Sequence, residues 1–170
     1  MCMIIMVTGG TRSGKSEEAE RRALSLSDRP VYLATATVQD EEMAERVRRH
    51  QERRRERWIN LEEPLHLGRF DFDRRVVLLD CLTLWCTNVF FEMGEDVDRT
   101  LDFMKQELQR LVANPSVTYI MVTNELGMGG VSPNAMMRKF ADLQGWLNQY
   151  VAAMADEVVL MISGIPVKIK

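Results

Sequence analysis

The sequence predicts a doubly wound α/β domain, mostly parallel, with an antiparallel edge at the C-terminal end. Three observations predict it. Short apolar runs alternate with segments of helical period, a glycine-rich pattern stands between the first run and the first helix, and Ser163-Gly164 breaks the last apolar stretch where a hairpin would turn. At 170 residues, with 46% hydrophobic and 28% charged residues, the chain is expected to form one domain over residues 1–170 with a core of its own.

Met3 to Val7 is a continuous apolar run ending in Thr8-Gly9-Gly10, the pattern of a strand buried on both faces. A helical pattern follows from Lys15 to about Leu26, and Val31 to Ala34 is a second buried strand after Pro30. Asp40 offers an N-cap for a long helix through about Arg57, with Glu41 and Glu42 in its first turn. Val76 to Leu79 is the third strand and ends in Asp80, with helices at about Leu84 to Met93 and Asp96 to Ala113. Val117 to Val122 is the fourth. Pro133 suits the first turn of a helix running to about Ala155, and Glu157 to Ile162 and Pro166 to Ile169 close the sheet. The three cysteines, Cys2, Cys81 and Cys86, include no Cys-x-x-Cys pair and are expected as reduced thiols in or near the core. The apolar run at Met1 to Val7 is too short to span a bilayer and lacks signal-peptide flanks, so the expected location is cytoplasmic.

Residues 9 to 16 read GGTRSGKS and satisfy G-x-x-x-x-G-K-[ST] through Gly9, Gly14, Lys15 and Ser16. A random chain of this length matches that pattern in well under about 1% of cases. The loop leaves a strand and enters a helix, as anion binding requires: backbone N–H groups turn inward and the helix N-terminus adds partial positive charge. Lys15 would neutralise the β- and γ-phosphates of a nucleoside triphosphate, Ser16 would ligate Mg²⁺, and Asp80 is the natural carboxylate partner of that metal. The bland alternatives are a glycine turn with an incidental lysine and, for Asp80, a helix cap. Signalling GTPases carry Asn/Thr-Lys-x-Asp for base recognition; Thr123-Asn124-Glu125-Leu126 lacks both the lysine and the aspartate, which argues against a switch protein.

The net charge of −3 conceals an asymmetry. Seven of the 17 arginines lie within Arg46 to Arg57 against two glutamates, giving +5 there and −8 in the remainder. On a helix starting after Asp40, Met43, Val47, His50, Arg54 and Trp58 share one face, and Arg46, Arg49, Arg53 and Arg57 form an adjacent basic stripe. Guanidinium groups around His50 would favour a neutral, nucleophilic imidazole and would bind the phosphate it attacks. The alternatives are a packing histidine and a solvated helical face. Nucleic-acid binding is disfavoured by the acidic remainder and by the lack of a helix-turn-helix, zinc-finger or aromatic RNA-binding signature. His66, within Pro64-Leu65-His66-Leu67-Gly68, belongs to no constellation and is expected to be structural.

Taken in order, GGTRSGKS at 9 to 16, YLATA at 32 to 36, D-x-E-M-x-x-R-x-x-x-H from Asp40 to His50, W-x-x-x-E-E-P at 58 to 64, LLDCLTLW-x-TN at 78 to 88, TNELGMG at 123 to 129 and the ending ADEVVLMISGIPVKIK resemble the bifunctional adenosylcobinamide kinase and adenosylcobinamide-phosphate guanylyltransferase family, of the CobU type. The resemblance runs over nearly the whole chain. It implies a P-loop, RecA-like sheet and two reactions of cobalamin assembly or salvage. A nucleoside triphosphate (ATP or GTP) phosphorylates adenosylcobinamide, and GMP then passes from GTP to adenosylcobinamide phosphate through a covalent GMP-histidine. The matching histidine is His50.

The resemblance also implies nucleotide contacts from Gly9, Gly10, Thr11, Arg12, Ser13, Gly14, Lys15 and Ser16, from Ala34, Thr35 and Ala36, from Gln51, Glu52, Arg53 and Arg54, and from Glu62 and Leu84. A carboxylate such as Glu62 can accept from the N1–H and N2–H₂ edge of guanine but not from adenine. A surface carboxylate before Pro64 is the alternative reading. A homo-oligomer, expected to be a trimer, follows from the resemblance alone. The segment GMGGVSP departs from the family's GMG-Ile-Val-Pro at Gly130 and Pro133, and Ala141 stands where an arginine is common. If the histidine were only structural, the chain would be a P-loop small-molecule kinase without guanylylation; a nucleotide-binding regulatory module is the non-enzymatic alternative.

Overall fold

The computed structural model describes residues 2–37 and 57–170. The elements are β1 (Met3–Gly9), α1 (Lys15–Leu26), β2 (Val31–Ala34), β3 (Ile59–Glu62), β4 (Val76–Asp80), α2 (Leu82–Glu92), α3 (Val97–Leu111), β5 (Thr118–Val122), α4 (Ala135–Met154), β6 (Glu157–Ile162) and β7 (Ile165–Lys168), with 3₁₀ turns at Leu67–Arg69 and Gly127–Gly129. Among the described residues seven strands form one sheet in the order β3-β2-β4-β5-β1-β6-β7, and of these only β7 is antiparallel, paired with β6. The α/β class, the parallel sheet and the antiparallel C-terminal edge are as the sequence predicts.

Strand alternation divides the core in two. Ile4, Met6, Leu33, Val77, Leu79, Tyr119 and Met121 pack on one face beneath residues of α2, α3 and α4. Ile5, Val7, Tyr32, Leu78, Ile120 and Val122 pack on the other against Ala19 and Ala23 of α1, small residues one helical turn apart that let the helix lie close to the sheet. Arg22 ties α1 to the sheet, with guanidinium nitrogens 2.7 Å from both Glu18 and Glu157. Cys2 is half-buried, Cys81 and Cys86 are buried, and all three are free thiols.

Two local expectations change. Trp58 is not on a helix: it lies in a bend, buried, edge-on to Tyr32 at 5.7 Å, and the chain runs directly into β3, a strand the sequence reading lacks. The remaining face from Met43 to Arg54, the stripe at Arg46, Arg49 and Arg53, and His50 itself lie outside the described residues. Pro133 precedes α4 rather than entering it. The cap is Asn134, whose side-chain oxygen accepts from the Met136 and Met137 amides at 2.9 and 3.2 Å.

Candidate active site at the carboxyl edge of the sheet

The carboxyl ends of five neighbouring strands fall in register: Glu62 of β3 opposite Ala34 of β2, Ala34 opposite Asp80 of β4, Asp80 opposite Val122 of β5, and Val122 opposite Val7 of β1. In open α/β sheets ligands bind in the crevice beyond this edge. Three sequence-predicted positions, Ala34, Glu62 and Asp80, thus share one row, and the 9–16 loop leaves the sheet at its β1 end.

The loop has a left-handed backbone at several points, with Gly9 at φ +154°, Arg12 at +56° and Gly14 at +94°. Gly9 must be glycine: a Cβ there would sit 2.6 Å from the Met161 carbonyl oxygen and 2.8 Å from Ser13 Oγ. Gly14 is the N-cap of α1 and contributes no side-chain cap, so the first amide N–H groups of the helix stay available to an anion. Thr11 and Arg12 are exposed with Gly10, whereas Ser13 is buried and Ser16 half-buried. Lys15 is buried and donates to the Gly10 carbonyl, with Ser13 Oγ 3.4 Å away. Burial lowers the Lys15 pKa, and the field of Asp80 partly opposes that shift.

The far end of the chain braces this loop. The β6–β7 turn has Ser163 at φ +51° and Gly164 at φ +80°; the Gly164 N–H donates to the Ser13 carbonyl at 2.9 Å, and a Cβ on Gly14 would meet Gly164 Cα at 3.3 Å. On the other side the Glu125 N–H donates to the Gly9 carbonyl at 3.0 Å.

Asp80 is half-buried and accepts a hydrogen bond from the Tyr32 hydroxyl. Among the described residues no group of three or more His, Cys, Asp or Glu side chains could hold a metal. A single carboxylate and the Ser16 hydroxyl instead fit Mg²⁺, which takes one or two protein ligands and completes its shell with phosphate oxygens and water. Asp80 is not the cap of α2, as the alternative reading had it; that cap is Cys81, whose Sγ accepts from the Leu84 amide at 3.4 Å. Burial pushes the Cys81 thiol up to about 12, so it caps as a neutral group. Leu84 itself is half-buried in the first turn of α2.

Thr35 is wholly buried, and its hydroxyl both donates to the Cys81 carbonyl at 2.8 Å and accepts from the Cys81 N–H at 3.0 Å. Its side chain is therefore spent on fixing the turn after β4 and its N–H donates to the Asp80 carbonyl at 3.1 Å, leaving the half-buried Ala34 and Ala36 at the edge. Asn88 of α2 donates to the Thr35 and Pro64 carbonyls at 2.8 and 3.1 Å, tying the ends of β2 and β3 together.

The two adjacent glutamates have opposite environments. Glu62 is exposed at the rim, free to face a ligand. Glu63, 4% exposed, accepts from the Leu65 and His66 amides at 2.9 and 2.8 Å and pairs with Arg69 at 2.8 Å. Burial would raise its pKa, but these amides and Arg69 outweigh that and hold it below the usual carboxylate range. His66 is exposed, edge-on to Phe103, and helps fix this turn through its backbone, in keeping with a structural role. Residues absent from the sequence-level site are thus Tyr32, Glu63, Asn88 and Gly164. Of these, only Gly164 carries a sequence signal, as half of a Ser-Gly turn.

The profile described as CobU, cobinamide kinase / cobinamide phosphate guanyltransferase, matches residues 5–169. The chain belongs to the CobU family. It is 41% identical over 182 residues to the bifunctional adenosylcobalamin biosynthesis protein CobU of Escherichia coli (strain K12), covering 99% of this chain and 100% of that one. The protein of the same name from Salmonella typhimurium (strain LT2) is also 41% identical, over 187 residues with the same coverage. The bifunctional adenosylcobalamin biosynthesis protein CobP of Pseudomonas aeruginosa is 37% identical over 97% of this chain and 96% of its own length. At the level of fold, a solved structure described as a prototypical ATPase from the type III secretion system of pathogenic bacteria aligns with a TM-score of 0.51 and 12% identity, over 93% of this chain and 50% of that one.

Within the CobU family pattern, the departure at GMGGVSP has a backbone basis here. Gly130 sits at φ +95°, ψ −175°, a region open essentially to glycine alone, so a branched residue would force another path for the 127–133 loop. The remaining site residues, His50, Gln51, Glu52, Arg53 and Arg54, lie outside the described residues.

Proposed function

We propose that this chain phosphorylates adenosylcobinamide with ATP or GTP and then transfers GMP from GTP to the phosphate through a covalent GMP-histidine at His50, releasing pyrophosphate. The observation that carries this reading is the CobU-family match over residues 5–169, with relatives named as bifunctional over their full length. The carboxyl edge supports it with two separated ends. The anion loop with Lys15 lies at β1, and Glu62 lies four strand spacings away, roughly 19 Å. One end suits the triphosphate of the kinase step and the other a guanine base.

In this reading the loop amides and Lys15 hold the phosphates, and catalysis is mainly positioning and charge neutralisation. Ser16 and Asp80 would hold Mg²⁺, which when bound neutralises charge on the phosphates. Tyr32 orients the Asp80 carboxylate, and Glu62 discriminates guanine from adenine. The whole of 1–170 acts as one catalytic domain. The enzyme acts in the cytoplasm on small-molecule substrates; no helix among the described residues is long and apolar enough to cross a membrane. Exposed Ile162, Ile165, Val167 and Ile169 on the closing hairpin, with Met128 and Val131 on the 127–133 loop, are apolar surface that a homo-oligomer, a trimer, would cover; the mass in solution tests this.

The deciding experiment incubates the chain with α-labelled GTP and Mg²⁺, denatures it, and examines the protein-bound label. A phosphoramidate survives alkali and is lost in acid. Label that persists in His50→Ala overturns the nucleophile. Phosphorylated cobinamide without any protein label would leave a kinase alone.

A further inference from the structure

Thr123, Gln144 and Asn148 form a polar cluster inside the apolar layer beneath α4. Gln144 Nε2 donates to Thr123 Oγ1 at 3.0 Å and to Asn148 Oδ1 at 2.9 Å, and the Thr123 hydroxyl donates to Asn148 Oδ1 at 2.7 Å. Thr123 and Gln144 are fully buried and Asn148 is 8% exposed. Polar groups are costly to bury, and what this cluster achieves is specific. Asn148 Nδ2 donates to the Asn124 carbonyl at 3.0 Å, while from α2 the buried Thr83 Oγ1 accepts the Asn124 N–H at 2.9 Å. Both backbone groups of one residue are thereby clamped by side chains from two different helices.

That residue stands beside the anion loop. Thr123 N–H donates to the Val7 carbonyl and Glu125 N–H to the Gly9 carbonyl, each at 3.0 Å, so Asn124 runs alongside the point where β1 becomes the loop. Val122 packs in the core beside α1 and Thr123 faces α4, so alternation returns Asn124 to the α1 side, the side of Asp80 and its partner Tyr32. Its half-buried carboxamide bonds to no group among the described residues.

We propose that Asn124 is a further catalytic residue, donating its carboxamide N–H to an oxygen of the terminal phosphoryl group held by residues 9–16. This rests on the kinase reading above. In the transfer, the bond from the γ-phosphorus to the bridging oxygen breaks and the nucleoside diphosphate leaves with that electron pair. The bond from phosphorus to the acceptor alcohol oxygen forms, and the alcohol proton passes to solvent. Charge on the equatorial oxygens meets a donor whose backbone Thr83 and Asn148 already hold in place, so little reorganisation of the chain is needed at the moment of reaction.

The test compares cobinamide phosphorylation by the full chain with that of Asn124→Ala and Asn124→Asp, measuring nucleotide Kd and Tm alongside. Loss of one preorganised donor is expected to lower kcat roughly 100-fold in Asn124→Ala, with Kd within about threefold and Tm unchanged. Asn124→Asp, of equal size but lacking the donor, is expected to be at least as slow. A kcat within about threefold of wild type in either variant overturns the proposal. So does a loss of rate matched by an equal loss of nucleotide affinity, or one that follows a fall in Tm in both variants. Failure of the kinase reading is distinct, because it appears in the wild-type chain or as full turnover by Lys15→Ala, whatever Asn124 does.

Discussion

The backbone N–H of Gly164 donates to the carbonyl of Ser13, joining the tip of the β6–β7 hairpin to the middle of the anion loop. The loop is thus held from outside as well as by its own glycines, and its shape depends on a turn about 150 residues away in sequence.

Substitution at Gly164 tests that brace. No heavy atom lies within 4 Å of a Cβ built there, so the constraint is the φ of +80° alone. Asn, which tolerates this region, should be near neutral, whereas Val should cost about 1–2 kcal/mol. Because the same residue holds Ser13, Gly164→Val should also weaken nucleotide binding. Denaturant unfolding and a nucleotide titration read the two effects; unchanged affinity in a destabilised Val variant would break the link.

Lys15 should trade stability for function. Its folded-state pKa is lowered by burial, so the charged form is disfavoured by the fold. Below that lowered value the lysine is protonated in both states and the cost is present in full; as pH rises through it towards the ordinary 10.5, the cost is relieved. Lys15→Met is therefore expected to raise Tm at neutral pH, by an amount that shrinks as pH rises, while abolishing triphosphate use. A lower Tm for Lys15→Met at pH 7 would contradict this.

Glu63 carries the opposite sign. Its folded pKa lies below the ordinary 4.5, so its stabilisation is complete above that value and is lost as pH falls through the lowered one. With two amide bonds and the Arg69 pair, Glu63→Gln should cost about 1.5–3 kcal/mol at pH 7. Unfolding curves for the two proteins should converge in strong acid, and a constant gap across pH would place the stabilisation elsewhere.

Glu62, its exposed neighbour, should matter to specificity alone. Loss of a charged acceptor for the guanine edge is expected to weaken GTP use roughly tenfold or more in Glu62→Ala, with ATP-driven phosphorylation and Tm unaffected. Steady-state kinetics with both nucleotides decide it; equal losses for ATP and GTP would remove the base-reading role.

The buried strands and the loop were legible because their signals are local. Runs such as Val31 to Ala34 and Val117 to Val122 are apolar enough to be fully buried, and GGTRSGKS is a spacing pattern. The strand Ile59–Glu62 was not legible: it is a half-exposed edge with only Ile59 and Leu61 turned inward, and it follows an arginine-rich stretch whose period of four carries on to Trp58. Its alternation was the signal, outweighed by that longer period. The register row from Glu62 to Asp80, the spending of Thr35 on Cys81, and the contrast between Glu62 and Glu63 all arise from strand pairing and turn geometry, which residue types alone do not encode.

The strand that carries the anion loop takes both of its neighbours from the second half of the chain, β5 at residues 118–122 and β6 at 157–162. Residues 9–16 are synthesised before either strand that flanks β1, so β1 has no paired neighbour until β5 and β6 arrive. Nucleotide affinity should therefore appear only after residues 157–162 have been synthesised, and nucleotide added to a refolding mixture should protect only chains in which β5 and β6 have docked.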